Sequence, residues 1–435
     1  MGRELDILER FFWLAGRSIS TNFAAHAQVI GSLEDQWILA ALDAVQARHP
    51  LLRMGIERSG WTGAKFVEVT NRPIPFQTVK KDDWLPIAEL ELERRFADDE
   101  APLIRCVRVA HDDKNSTLIL TLHHVIGDGM SATLILRDLF ATIRQAADGK
   151  EPRLQALPLL PEAYQGYPWY TKFPFGLPIF LIMSLRAITC TPLSLILNGS
   201  SCIRYARFTG RTPALVNRTL DAELVTAIEA RAKQERTTMH GALMAALMKA
   251  IARQRNLPIP LRIGLNTAVN LRAQLNPPVG EDTGLFSTIV PTSNTVWKNI
   301  NLWTLARRAR RSLTWALARK EGFSLPLFFQ SGAWLLVLFG STKLGAALYT
   351  RFMYWSTASG IPFSNIGRVQ IDTNKDIFSI QNLGFYATAA VGTHFAAFAA
   401  TVENRMTLNF NFQEPVYNRE TVEQIADLMI EELSN

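Results

Sequence analysis

The spacing of apolar residues changes period several times along the chain, and each change marks an element. The run Phe23–Ile30 (FAAHAQVI) predicts a strand. From Leu33 to His49, the residues Leu33, Trp37, Leu39, Ala40, Ala41, Leu42 and Val45 fall near one helical face, which predicts an amphipathic helix that Pro50 stops. Leu52–Ile56 and Lys65–Val69 read as strands, and Ile87–Phe96 as a short helix. Leu103–Ala110 and Thr117–His123 are the strongest strand signals. The polar stretch His111–Ser116 between them, with Asp112, Asp113, Lys114 and Asn115, suits a hairpin turn. Helical periodicity resumes at Gly129 and lasts to about Ala147.

Residues 148–213 break this rhythm. Prolines are frequent there, aromatics cluster between Tyr164 and Phe175, and periodicity fades, as in a crossover connection. The second half then starts again. Leu215–Leu220 reads as a strand, Asp221 as the cap of a helix ending near Gln234, and Thr238 as the cap of a second helix. Leu261–Asn270 and Leu285–Pro291 read as strands, Leu302–Lys320 as a basic helix, Ile377–Ala389 and Thr407–Phe412 as strands, and Arg419–Leu433 as a closing helix. Alternating strands and helices in two halves predict an α/β sandwich of two similar domains, 1–147 and 214–435, joined by 148–213.

Composition narrows the function classes. The chain has 435 residues, 48% of them hydrophobic and only 20% charged, which excludes a disordered or fibrous protein. The formal net charge of +7 suits an anionic partner, although no nucleic-acid motif is present and the aromatics lie in apolar stretches. Cys106, Cys190 and Cys202 are widely spaced, so neither a disulfide framework nor a metal site is expected, and a reducing, cytoplasmic setting fits. The N-terminus, MGRELDILERFFWLAG, mixes acidic with apolar residues and lacks the form of a secretory signal; Asp6 stands where a myristoylation site needs Ser or Thr. Two stretches look membrane-like. Phe173–Leu197 carries Arg186 in its middle and three prolines. Leu325–Phe339 is too short to span. Both are expected to line a tunnel, pack in a core or touch a membrane surface peripherally.

The chemistry concentrates in TLILTLHHVIGDGMSATLILR, residues 117–137. A strand ends at His123–His124, and strand alternation sends the two rings to opposite faces. An imidazole with an ordinary pKa near 6.5 is a ready general base at neutral pH. Asp128, four residues beyond His124, can hold backbone and a nearby cation, while Gly127 and Gly129 permit a sharp turn and close approach of substrate.

HHVIGDG is similar to the HHxxxDG signature of the condensation-domain and coenzyme-A-dependent acyltransferase superfamily. That superfamily includes peptide condensation domains, alcohol acyltransferases and polyketide-associated (phthiocerol dimycocerosyl transferase-like) acyltransferases. Other segments extend the resemblance over nearly the whole chain: HAQVIGSLEDQWILAALDAVQARHPLLRMGI, GLNTAVNLRAQLNPPVGEDTGLFSTIVP, SGIPFSNIGRV and TLNFNFQEPVYNRETVEQIADLM. The resemblance implies two chloramphenicol-acetyltransferase-like α/β sandwich domains forming a V around a central tunnel. It implies direct acyl transfer, with His124 as general base, His123 orienting it, Asp128 structural and paired with an Arg of the second domain, and Gly129 at the turn. Arg272 is the candidate partner, its fork suited to a carboxylate. Backbone near Gly129 and the Ser364–Asn365 stretch are candidate oxyanion donors. No GxSxG elbow is present, in keeping with a mechanism without a serine nucleophile.

The resemblance further implies no permanently bound cofactor and no metal, with acyl-coenzyme A or an acyl carrier protein thioester as co-substrate. The expected acceptor is a long-chain or lipid-like alcohol in polyketide, lipid or other secondary metabolism, and a monomer is expected. No adenylation or carrier module is seen, which suggests a free-standing enzyme. Arg307, Arg308, Arg310, Arg311, Arg319 and Lys320 crowd one helix, as a solvated face or as a dock for an acidic carrier protein, coenzyme A phosphates or an acidic membrane surface. Two other readings stand beside ester formation: amide-forming condensation between carrier-bound substrates, and a non-catalytic lipid- or carrier-binding relative.

Overall fold

A computed structural model describes residues 2–59, 63–172, 210–256, 258–331, 360–372, 377–388 and 394–435, with the single positions 175, 177, 178, 181, 185, 344 and 345. The first half runs β1 (Gly2–Glu4), α1 (Ile7–Gly16), β2 (Asn22–Gly31), α2 (Asp35–Arg48), β3 (Met54–Ser59), β4 (Gly63–Glu68), β5 (Phe76–Lys80), α3 (Leu85–Glu93), β6 (Ile104–Ala110), β7 (Asn115–His123) and α4 (Gly129–Ala147). The second runs β8 (Thr212–Leu220), α5 (Ala222–Gln234), α6 (Met239–Arg255), β9 (Leu261–Asn270), β10 (Ser287–Val296), α7 (Leu302–Ala318), α8 (Ser324–Ser331), β11 (Ile361–Arg368), β12 (Phe378–Ala387), β13 (Phe395–Val402), β14 (Arg405–Glu414) and α9 (Arg419–Ser434).

Local chemistry sets several of these boundaries. The β6–β7 hairpin closes where the Asp112 carboxylate accepts from the backbone N–H groups of Lys114 and Asn115, each at 2.7 Å. Asp221 and Thr238 cap α5 and α6 by accepting from Leu224 N at 2.8 Å and Gly241 N at 3.1 Å. At α1 the Asp6 side chain accepts from Leu8 N while Glu9 reaches back to Asp6 N, a reciprocal cap. Helix α1 is absent from the elements predicted above although its signals are in the sequence: the Asp6–Glu9 capping pair, and Leu8, Phe11, Leu14 and Ala15 at helical spacing on its buried side.

Two mixed sheets form the framework. One has the order β12-β2-β7-β6-β5 and the other β10-β9-β11-β13-β14-β8, while β1-β4-β3 make a small third sheet. Strand β12 belongs to the second half of the sequence yet pairs antiparallel with β2 from Phe378↔Gly31 to Ala387↔Phe23. The two halves are therefore stitched by backbone hydrogen bonds as well as by side chains. Strand β13 lies between the two cores: Phe395, Ala397 and Ala399 join the second, and Ala396, Phe398 and Ala400 the first. All eight of its residues are buried, so the sequence FAAFAATV carries no polar alternation, and the strand is absent from the elements its pattern predicts. Gly384 is needed where β12 approaches these strands, since a Cβ there would lie 2.5 Å from His26 Cε1 and 2.7 Å from Asn409 Nδ2.

The apolar stretches divide between what is described and what is not. Of 325–339, residues 325–331 belong to α8, with Leu327 buried against Tyr167 and Phe323; positions 332–339 lie outside the described residues. Most of 173–197 lies outside them too, and the described Phe175, Leu177, Leu181 and Leu185 are exposed. Among the described residues no helix is long and apolar enough to cross a membrane.

His26 is fully buried on β2, stacked on Trp84 at 4.2 Å, and burial pushes its pKa down to about 3. The folded protein thus holds it neutral, while the unfolded chain takes up a proton below 6.5. Its contribution to stability is intact above 6.5 and is lost as pH falls toward 3, at about 1.4 kcal/mol per pH unit. Denaturant titrations at several pH values between 7 and 5 are expected to show a shallower loss of stability for His26→Phe than for the parent chain; equal slopes would contradict this assignment.

Candidate active site

Between the two sheets lies a cavity of about 310 Å³, lined by both halves of the chain. Its walls include Phe11 and Phe12 of α1, Phe23 of β2, Phe363 of β11, Phe385 of β12 and Phe398 of β13. His124 and Gly129 line it, as do Leu325, Ser364 and Asn365. Among the described residues that line it, none is Lys, Arg or Glu, and the ionisable groups are His124 and Asp128.

Strand β7 ends at His123, and the next residues turn into α4. His124 is half-buried, and its backbone N–H donates to Thr21 O at 3.2 Å. The Nδ1–H donates to the Gly127 carbonyl at 2.9 Å, because a carbonyl can only accept. That bond fixes the tautomer and leaves Nε2 with its lone pair. Phe12 stacks on the ring at 4.2 Å and 19°, and Phe23 leans on it at 4.9 Å and 40°. Burial lowers the His124 pKa below 6.5, against the Asp128 charge and the Gly127 hydrogen bond, which raise it.

His123 points elsewhere and does not line the cavity. Val125 N–H donates to its Nδ1 at 3.1 Å, so its Nε2–H donates to Thr21 Oγ1 at 3.2 Å. It is buried, and desolvation, helped by His124 and Arg105, holds it neutral with a pKa of about 3.

Asp128 caps α4 and is the most heavily bonded carboxylate of the site. It accepts from Ser131 N at 2.9 Å, Ser131 Oγ at 3.0 Å and Phe286 N at 3.0 Å. Arg272, in a short turn after β9, donates through Nη1 to both Asp128 oxygens at 3.1 and 2.9 Å. Its Nη2 reaches Ser131 Oγ at 3.0 Å and the carbonyls of Asp282 and Gly284 at 3.3 Å. The guanidinium also sits 4.7 Å from the Phe286 ring. Burial alone would raise the Asp128 pKa; the Arg272 charge and the hydrogen bonds outweigh it and hold the carboxyl below 3.8.

The structure therefore brings His124, Asp128, Gly129 and Arg272 together, and places His123 behind them. Gly129 lies against Ile366 and Phe385, which a Cβ would meet at 3.2 and 3.3 Å. Gly127 has a tighter need, since a Cβ there would lie 2.9 Å from Ser131 Cβ. Phe12, Ser131 and Phe286 are site residues that sequence reasoning missed. Ser131 left a signal as the third residue after the capping Asp128, and Phe286 as the last residue of the GLF stretch in the segment that carries the resemblance. Among the described residues no cluster of His, Cys, Asp or Glu could hold a metal ion.

The basic helix is partly committed. Arg307 pairs with Glu235 at 2.6 Å, Arg310 donates to Arg236 O at 2.8 Å, and Arg319 pairs with Glu321 at 2.7 Å, while Arg308 and Arg311 are exposed.

This architecture recurs in solved structures. Polyketide synthase associated protein 5 from Mycobacterium tuberculosis aligns with a TM-score of 0.65 at 16% identity, covering 100% of this chain and 98% of that one. The TRI3 trichothecene 15-O-acetyltransferase from Fusarium sporotrichioides aligns at 0.73 and 13%, covering 100% and 95%. The first condensation domain of the calcium-dependent antibiotic synthetase aligns at 0.71 and 13%, covering 100% and 97%. The fold is thus the two-part α/β fold of condensation domains and related acyltransferases.

The sequence matches agree. Residues 13–167 match the condensation domain family, and residues 210–327 match the phthiocerol/phthiodiolone dimycocerosyl transferase C-terminus family. The chain belongs to the condensation-domain and acyltransferase superfamily. Among curated relatives, it is 29% identical over 276 residues to chondramide synthase cmdD of Chondromyces crocatus, covering 61% of this chain and 7% of that protein. It is 26% identical over 147 residues to the phosphinothricin tripeptide synthetase PhsC of Streptomyces viridochromogenes, covering 32% and 13%. The chain thus spans only a small part of the length of these relatives.

Removing Asp128 would leave the Arg272 charge buried without its partner, a loss of about 3–5 kcal/mol in comparable cases. Asp128→Ala is expected to lose that much unfolding free energy in a denaturant titration. Asp128→Asn keeps the shape but removes the charge and turns an NH2 group toward donors that both carboxylate oxygens now satisfy, so it is expected to lose a similar amount; an unchanged unfolding free energy in both variants would contradict the buttressing role of the pair.

Proposed function

We propose that this chain is an acyltransferase that moves an acyl group from a thioester to a hydroxyl, with His124 as general base. The observation that carries the reading is the His124 imidazole, held with its Nε2 lone pair available at the wall of a cavity that both sheets enclose. In the proposed step, Nε2 takes the proton of the acceptor hydroxyl as the oxygen attacks the thioester carbonyl carbon. The tetrahedral intermediate then collapses, the C–S bond breaks, and the imidazolium returns its proton to the leaving thiolate. Ester and thiol are the products, and His124 ends as it began.

The other residues take supporting parts. Asp128 and Arg272 neutralise each other and fix the turn that presents His124, without touching the proton in flight. Gly129 leaves room for substrate beside the turn. His123, neutral and tied at both ring nitrogens, orients the end of β7. The developing oxyanion needs donors. Asn365 has its Oδ1 occupied by Gly367 N–H at 2.8 Å, so its NH2 group is the part left to donate, and Ser364 also lines the cavity.

The lack of an unpaired charge on the described lining favours a hydroxyl acceptor over an amine. An amine arrives at neutral pH as an ammonium, and a buried charge without a partner is costly. The Asp128 carboxylate that could meet it is already satisfied by Arg272, Ser131 and Phe286. The phenylalanine-rich walls suit an apolar acyl chain or a lipid-like alcohol. The donor in this reading is acyl-coenzyme A or an acyl carrier protein, for which the exposed Arg308 and Arg311 on α7 offer an electropositive face. The location in this reading is the cytoplasm, with peripheral membrane contact, in keeping with the free, buried Cys106.

Thiol release from palmitoyl-coenzyme A with 1-dodecanol or dodecylamine as acceptor tests the reading, with product mass identifying the bond formed. Ester is expected to dominate; amide as the main product would replace this reading with peptide-type condensation. His124→Ala is expected to lower kcat about 10²- to 10⁴-fold, and undiminished turnover would remove His124 as the base. Because the base works only when neutral and burial lowers its pKa below 6.5, the acid limb of the kcat/KM profile is expected to have its midpoint below pH 6.5; a midpoint above 6.5 would contradict the assignment.

A further inference from the structure

We propose that Phe12, on α1, is a positioning residue whose ring sets the plane of the His124 imidazole. The inference rests on the general-base reading of His124 given above and adds a residue to it. The two histidines make the need visible. His123 is tied at both ring nitrogens, to Val125 N and Thr21 Oγ1, and its aromatic neighbour Phe96 meets it edge-on at 6.0 Å and 68°. His124 is tied through Nδ1 to Gly127 O, because the other nitrogen must stay available to a substrate. A ring anchored at one nitrogen can still rock about that anchor. The contact that opposes rocking is a flat one, and Phe12 supplies it, lying within 19° of parallel at 4.2 Å. Phe23, tilted by 40° at 4.9 Å, bears on the same ring less squarely.

Phe12 is itself firmly placed. The capping box of α1 joins Asp6 and Glu9, Arg3 donates to both Glu9 oxygens at 2.7 Å, and Tyr164 N–H donates to Asp6 at 2.8 Å. The first helix is thereby fastened at its start to β1 and to the crossover segment. Two turns on, it delivers a ring to the base. Proton transfer needs heavy atoms within about 2.6–3.2 Å, and a misplacement of about 1 Å can cost about 100-fold, so a loose imidazole would lose rate without losing substrate binding.

The test uses the full chain with Phe12→Leu, Phe12→Tyr and His124→Gln. Leucine keeps an apolar group of similar size and removes the flat face; tyrosine keeps the face. With palmitoyl-coenzyme A and 1-dodecanol, Phe12→Leu is expected to lower kcat about tenfold, with KM within about twofold and an unchanged melting temperature. Phe12→Tyr is expected to stay within about twofold of the parent. A leucine variant as fast as the parent would overturn the proposal, and so would a loss of rate shared equally by the tyrosine variant. A second readout does not depend on turnover. In ¹H–¹³C spectra of histidine-labelled protein, the His124 ring signal, identified by its loss in His124→Gln, is expected to sit upfield under the Phe12 ring and to move downfield in Phe12→Leu. An unmoved signal overturns the stacking whatever the activity. Full turnover by His124→Gln would instead overturn the general-base reading itself, a distinct outcome.

Discussion

The buried contact between Asp128 and Arg272 is the constraint on which the rest of the site depends. Asp128 starts α4 in the first half of the chain, and Arg272 follows β9 in the second. Both side chains are almost fully enclosed. Burying two charges is expensive, and their mutual attraction repays the cost only when the remaining donors and acceptors are also met. Here Ser131 and the Phe286 backbone complete the carboxylate, and the carbonyls of Asp282 and Gly284 share Nη2 of the guanidinium, while its buried Nε makes no hydrogen bond among the described residues. The gain is specificity of arrangement more than stability. Few other dispositions of α4 against β9 and β10 would satisfy all of these groups, so the turn carrying His124 has one position relative to the second half.

A second network repeats the connection at the outer end of the same segment. Asp138 on α4 accepts from His49 Nε2 at 3.0 Å and from Arg137 at 2.8 Å, and lies in an ion pair with Arg48 Nε at 2.7 Å. Glu281, from the segment between β9 and β10, meets Arg48 at 2.7 Å and Arg137 at 2.6 Å. Glu281 is half-exposed, so salt screens this outer clamp more than the inner one. The segment that carries Asp282 and Gly284 is thus fastened to the first half on both sides of the carbonyls that Arg272 uses.

Within that frame the apolar residues do two jobs with one chemistry. Phe385 and Phe398 pack edge to face at 5.2 Å across the junction of the two sheets, and both also line the cavity. The same rings that join the sheets therefore shape the space beside His124. This double use accounts for much of the chain's high apolar content: it must fill two cores, cover the junction between them and surface the cavity beside the base.

The amino-acid sequence by itself determined the elements that see one environment on each side. Helices α2, α4 and α5 were legible because a core on one face and water or polar contacts on the other impose a period; β7 and α6, buried nearly throughout, were legible instead from apolar runs bounded by a polar turn and by the Thr238 cap. The HHxxxDG turn was legible because its chemistry demands particular residues at fixed spacing. Arg272 was legible as a candidate because the family resemblance implies an Arg of the second half beside the Asp of HHxxxDG, and its fork suits a carboxylate. Tertiary structure alone decided the rest. Strand β13 is enclosed on both faces, so alternation vanished. Helix α1 carries its own capping and spacing signals, but nothing local shows that Phe12 meets His124, more than 100 residues away. Strand β12 leaves its own half to pair with β2, a partner more than 340 residues away along the register of paired backbone groups. Local periodicity records what each residue faces, not which distant strand provides the face, and that choice is made only when both sheets pack.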